Sequence, residues 1–132
     1  MAKIKIEKQL AIYLDNRPGM LAHTCEALQK AGINMLALSI LDTVDHAVVR
    51  IVVDRVREAG SVLAKMHAMV QVRDVVFMEV RNKPGDLAAI AEKLAAAGIN
   101  IEYAYCTCEP SQDAGAIVLR TNDLEATINA LS

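Results

Sequence analysis

Apolar and polar residues alternate through Leu10–Asp15, with Leu10, Ile12 and Leu14 on one side and Ala11, Tyr13 and Asp15 on the other. A period of two is the signature of a half-buried strand. After the polar turn Asn16-Arg17-Pro18-Gly19 the period changes: Leu21, Cys25, Leu28 and Ala31 fall at helical spacing, and Gly32 supplies a left-handed stop. Met35–Leu41 and Ala47–Val53 are two further apolar runs, joined across 42–46 as a hairpin. Val56, Ala59, Leu63 and Met66 predict a second helix, and Met69–Arg73 a short closing strand, so the order is βαββαβ.

The same pattern then returns. Val75–Val80 reads as a strand, Gly85–Ala97 as a helix, Ile99–Thr107 and Ala116–Thr121 as strands, and Asp123–Leu131 as a helix. Aligned without gaps, Asn16–Asn34 and Asn82–Asn100 share 11 of 19 positions: Asn, Pro, Gly, Leu, Ala, Glu, Leu, Ala, Gly, Ile and Asn. A duplication of this length, present in only two copies, indicates two compact units and no solenoid. The boundaries are expected at 1–73 and 74–132. The loop Glu109–Gly115 is about four residues longer than its counterpart, and no closing strand follows the last helix, so the second unit lacks an evident last strand.

A βαββαβ unit packs two helices on one face of a four-stranded antiparallel sheet, so the expected fold is α+β, two ferredoxin-like units in tandem. Side by side they would form a sheet of eight strands, or of seven if the second unit is short of one. Leu36, Leu38 and Ile40, with Glu102, Ala104 and Cys106 in the second copy, are expected on the helix side of the sheet. Ala37 and Ser39, with Tyr103 and Tyr105, are expected on the opposite face.

Composition narrows the function. At 132 residues each unit is small, and units of that size bury their cores only marginally when alone. Hydrophobic residues are 54% and charged residues 23%, the balance of a folded, water-soluble chain, and aromatics at 3% leave the core to Ala, Val, Leu and Ile. The net charge is −2, with Lys and Arg scattered singly, which argues against nucleic acid as a partner. The charged N-terminus and the absence of any run of about 18 apolar residues point to a cytoplasmic protein without a membrane span.

Candidate chemistry is sparse. Cys106 and Cys108 share one strand face, but no third ligand stands at a recognisable spacing, so no metal is expected. Cys25 lies on the apolar helical stripe and is read as packing. His23 and His67 are isolated, and Asp15, Glu26, Glu58 and Glu92 read as solvated charges with no acid and base pair among them. Arg50 and Arg120 recur in equivalent strands, as interface anchors or as charges that keep a sheet edge soluble.

The two turns, "DNRPGML" and "RNKPGDL", followed by "AGINML" and "AGINIEYAY", resemble the recurring loop and helix exit of the ACT domain, a small-molecule-sensing βαββαβ unit of amino-acid metabolism. The likeness covers nearly the whole chain in two copies and implies a stand-alone tandem ACT protein that is not an enzyme and needs no cofactor. The loop is similar to that of the serine-binding regulatory domain of phosphoglycerate dehydrogenase. That similarity implies that Asn16 and Asn34, and likewise Asn82 and Asn100, grip an amino-acid effector at interfaces between ACT units. With them go the loop residues Arg17, Pro18, Gly19, Met20 and Leu21, and in the second copy Lys83, Pro84, Gly85, Asp86 and Leu87.

The chemistry is suited to that role. A helix start leaves amide donors for a carboxylate, and an Asn side chain carries both an acceptor for an ammonium group and donors for a carboxylate. Beside this stand plainer readings: Pro-Gly is ordinary turn chemistry, and Asn at a helix exit often serves the backbone alone. Asp86 in place of Met20 makes the two sites unequal, the second disfavouring acidic side chains. A free amino acid, a second copy of the chain in a homodimer, and a metabolic enzyme are the expected partners. The competing expectation is an interaction subunit that docks on such an enzyme, with ligand secondary or absent.

Overall fold

The computed structural model describes residues 3–42, 46–81, 85–108 and 114–132. Six strands and four helices follow one another along the described chain: β1 Ile4–Asp15, α1 Met20–Lys30, β2 Met35–Asp42, β3 His46–Val53, α2 Val56–Lys65, β4 Met69–Arg81, α3 Asp86–Ala96, β5 Ile101–Cys108, β6 Ala114–Thr121 and α4 Leu124–Leu131. They make two compact units. The first is Lys8–Arg73; the second joins Asp74–Ser132 to Met1–Glu7.

In the first unit the strands lie in the order β2-β3-β1-β4, with β3 antiparallel to both neighbours. Register fixes the faces. Leu10 pairs with Ile51 and Ile12 with Val49, so both pairs point to the same side, where Leu28, Ile33, Ala59 and Leu63 close over them as a buried core. The two helices therefore owe their stability to an apolar stripe sealed against the sheet, as short helices must.

Three helices end in the same way. At α1 the amide of Ile33 bonds Leu28 O and that of Gly32 bonds Gln29 O; at α2 Ala68 bonds Leu63 O and His67 bonds Ala64 O; at α3 Ile99 bonds Leu94 O and Gly98 bonds Ala95 O. This pair of bonds requires a left-handed residue just past the helix, and Gly32, Gly98 and His67 take that place with φ of 71°, 71° and 58°. Arg55 adds a clamp in the first unit by donating Nη2 to the carbonyls of Ala31 and Gly32.

The second unit has the order β1-β4-β6-β5 around a core of Val76, Met78, Ile90, Leu94, Ile117, Leu119 and Leu131. Its missing last strand is supplied by the start of the chain. Ile4–Glu7 of β1 lies beside β4, Glu79 N donates to Lys3 O at 3.0 Å, and Ile4 packs against the core. Residues 1–7, counted with 1–73 in the sequence reading, thus group with the other unit. Lys5 Nζ stands 5.6 Å from the centre of the Phe77 ring, a cation–π contact on the same segment.

Strand number is the second correction. Eight strand roles are filled by six strands, not by seven or eight, because β1 and β4 are 12 and 13 residues long and each serves both units. Asp74, read as a break between Met69–Arg73 and Val75–Val80, is an ordinary residue inside β4. Its carbonyl accepts from Arg120 Nη1 at 2.6 Å, and Arg120 Nε stands 3.4 Å from Glu102 Oε1. Arg120 therefore has a local role within its unit.

The third correction concerns β2. Leu38 pairs with Ile51 and Ile40 with Val49, so these residues do face the helix side, yet Leu36, Leu38 and Ile40 are 36%, 40% and 46% exposed. β2 is an edge strand, and the helices do not reach over it. Burial appears instead on the opposite face, at Ala37, Ala11 and Val52. In β5, Ala104 and Cys106 pair with the core residues Leu119 and Ile117, which leaves Tyr103 and Tyr105 on the far face, both half-buried.

Candidate functional site

The glycine that ends each repeated turn has a positive φ, a backbone conformation that glycine adopts more readily than any residue with a Cβ. Gly19 (φ 86°) and Gly85 (φ 93°) are the N-cap residues of α1 and α3, so neither N-cap position carries a side chain that accepts from the first-turn amides. Nothing lies within 4 Å of where a Cβ would sit on either glycine, so backbone conformation, and not space, selects them. The first-turn amides of α1 are thus left to a donor-seeking group outside the helix. α2 also begins without a side-chain cap, whereas α4 is capped by Asp123 Oδ1, which accepts from Ala126 N at 3.0 Å.

The two helix starts differ in charge. α1 has no acidic residue in its first turn, so its positive end is uncompensated. α3 begins with Asp86, whose Oδ2 accepts from Arg81 N at 3.2 Å and brings a negative charge of its own to that end. Met20, at the equivalent place in α1, packs against the first core, as does Leu21, while Leu87 is 57% exposed. Arg17 stays at the surface, its Nε 3.9 Å from Asp15 Oδ2, and Pro18 is exposed beside it. Asn82, Lys83 and Pro84 lie outside the described residues.

Asn16 Nδ2 donates to Asp42 Oδ1 at 2.6 Å, at the far end of β2. Asn34 stands immediately before the first residue of that strand. Eight strand residues between them span roughly 25 Å at about 3.3 Å each, so one unit does not bring both carboxamides to one small ligand. Backbone bonds hold Asn34 and Asn100 in matching ways. Asn34 N donates to Asp54 Oδ1 (3.0 Å) and Asn34 O accepts from Asp54 N (3.2 Å); Asn100 N donates to Asn122 Oδ1 (3.1 Å) and Asn100 O accepts from Asn122 N (3.4 Å). The side chains serving these backbones come from the residue after β3 or β6. Asn34 and Asn100 themselves are exposed.

What sequence spacing does not reveal is a cavity of about 550 Å³ at the α1 start of the first unit, lined by Asp15, Met20, Thr24 and all three histidines, His23, His46 and His67. They come from α1, the start of β3 and the exit of α2, elements joined only by folding. Met66 and Val48 supply apolar wall, and Thr24 Oγ1 donates to Met20 O. A second hollow of about 380 Å³ lies by Asn34, Cys25 and Met35. Among the described residues no group of three or more His, Cys, Asp or Glu is arranged to hold a metal ion, and no helix is long and apolar enough to cross a membrane.

With that geometry established, comparison with known proteins is informative. The family model described as ACT domain pair matches residues 5–131. Protein BT0572 from Bacteroides thetaiotaomicron has a solved structure similar to this one, at 33% identity and a TM-score of 0.89, over 97% of this chain and 88% of that one. The ligand-free regulatory subunit of aspartate kinase from Thermus thermophilus is similar in fold at 19% identity and a TM-score of 0.73, over 98% of this chain and 93% of that one. A putative C-terminal regulatory domain of aspartate kinase from Porphyromonas gingivalis shares the fold at 13% identity and a TM-score of 0.59, over 100% and 95% of the two chains. None of the curated proteins matches the sequence.

Proposed function

The chain belongs to the ACT domain-pair family, and from that premise we propose that it is a non-catalytic, cytoplasmic regulatory protein that senses a free amino acid. The observation that carries this is the Asn-x-Pro-Gly-x-Leu sequence made twice, with a left-handed glycine as the N-cap residue of the following helix in both copies. Such a start attracts a carboxylate, and the Asn carboxamide of the same turn is able to take either charged end of a zwitterion. Because Asn16 and Asn34 stand at opposite ends of β2, a ligand held by both types of residue needs the loop of one ACT unit and the Asn of another. Occupancy would then tie two ACT units together, which gives the bound state a route of transmission.

The regulatory parts of aspartate kinase that share the fold support an enzyme of amino-acid metabolism as the recipient of that state. A thermal-shift screen of the common amino acids at millimolar concentration tests the reading. A ligand present at 100 times its dissociation constant stabilises by about 2.7 kcal/mol, a shift of several degrees. No stabilisation by any amino acid would overturn it.

A second reading has an observation of its own. β2 is an edge strand that exposes Leu36, Leu38 and Ile40 along one face, an apolar row that soluble proteins ordinarily cover. It suits homodimerisation or docking on an enzyme subunit. Capture of a defined metabolic enzyme in the absence of any ligand response would favour docking, and a monomer at high concentration in light scattering would exclude the dimer.

A further inference from the structure

The two repeated turns differ in charge at both ends. Asp15 closes β1 before the first turn, where Arg81 closes β4 before the second; Met20 opens α1, where Asp86 opens α3. The carboxylate has thus moved from the strand side of the turn to the helix side. Backbone geometry is kept through the exchange, since Gly19 and Gly85 have φ of 86° and 93°.

Asp86 is also bonded. Its Oδ2 accepts from Arg81 N at 3.2 Å, so the carboxylate lies between the first residue of α3 and the last residue of β4. Met20 instead packs against the core, and the first turn of α1 holds no acidic residue. A carboxylate is well placed at the positive end of a helix, which is the place that the carboxylate of a ligand would take. Two carboxylates about 4 Å apart lose about fivefold in affinity even at the dielectric of water, and more where water is excluded. The ammonium end of a zwitterion meets Arg81 in place of Asp15 at the strand end. Binding in the reverse sense, with the ammonium group on Asp86, would set a cation against the positive end of α3.

We infer that Asp86 is an internal substitute for an effector carboxylate, so that the second turn is closed to free amino acids and each chain offers one effector turn, not two. The inference rests on the amino-acid-sensing reading and adds to it a stoichiometry and the residue that sets it. The second copy keeps its turn as a structural element fastened by its own side chain.

Backbone amides report on each turn separately. The common amino acids are titrated one at a time into the full chain, with calorimetry counting equivalents and proton–nitrogen NMR following the amides of Gly19, Met20 and Leu21 and those of Gly85, Asp86 and Leu87. An amino acid that binds is expected to do so at one equivalent per chain, with a second, weaker transition at residues 85–87 only at about tenfold higher concentration or beyond. Asp86→Asn keeps an oxygen that accepts from Arg81 N and removes the charge, so it should strengthen that second transition at least about fivefold and leave the first unchanged. Two equivalents of equal affinity in the parent chain, or an Asp86→Asn chain whose second turn stays silent or weakens, overturns the closed turn and leaves amino-acid sensing standing. Silence of both turns towards every amino acid overturns both.

Discussion

Replacing Ile4 by Ala tests whether the start of the chain completes the second unit. Ile4 is half-buried and packs against the core of Val76, Met78 and Leu119, while Ile6, two residues on, is 46% exposed. Truncating a fully buried Ile costs about 2–5 kcal/mol including the cavity left behind, so half-burial brings the expectation for Ile4→Ala to about 1–2 kcal/mol. Ile6→Ala, lacking a core to abandon, should stay within about 0.5 kcal/mol of the parent. Urea unfolding of the two variants gives the difference directly from the shift in midpoint at constant slope. Hydrogen exchange adds a local readout: the amide of Glu79, which donates to Lys3 O, should lose protection in Ile4→Ala. Equal stabilities for the two variants, with Glu79 protected as before, would refute the claim that residues 4–7 serve as the fourth strand.

Three further outcomes follow from the site and the edge. Gly19→Ala meets no clash and should still cost about 1–2 kcal/mol in chemical denaturation, because φ of 86° is strained for any residue with a Cβ. Exchanging Met20→Asp in the first unit should weaken carboxylate ligands, and Asp86→Met in the second should strengthen them, by several-fold each in calorimetry, since a charge at a helix start is worth about 0.3–1 kcal/mol. Leu38→Lys should shift the chain to monomer in sedimentation while its unfolding midpoint changes by less than about 0.5 kcal/mol, because the residue lies on an exposed edge.

Local chemistry was readable wherever a short stretch decides its own conformation. Gly32 and Gly98 past the helices and the alternation of Leu10, Ile12 and Leu14 have the structure that their residue types require. Repetition made the reading stronger, since two copies of one pattern specify one fold twice. Reading failed where a residue's environment is supplied from far away. Asp74 fell between the two expected strands Met69–Arg73 and Val75–Val80, but it lies inside β4, and the partner that holds its carbonyl, Arg120, is 46 positions on. Leu38 and Ile40 lie on the expected face and are nonetheless exposed, because alternation reports direction and not whether a helix lies overhead.

By itself the sequence determined the βαββαβ pattern and its second copy short of a last strand, the glycine stop after the first helix, and the inequality of Met20 and Asp86, for each depends on neighbours within a few positions. The tertiary structure alone decided that the first strand closes the second unit, that β2 lies at an edge with its leucines exposed, and that His23, His46 and His67 share one cavity. Those are consequences of strand order and helix placement, and contacts between residues distant in the chain leave no periodic trace along it.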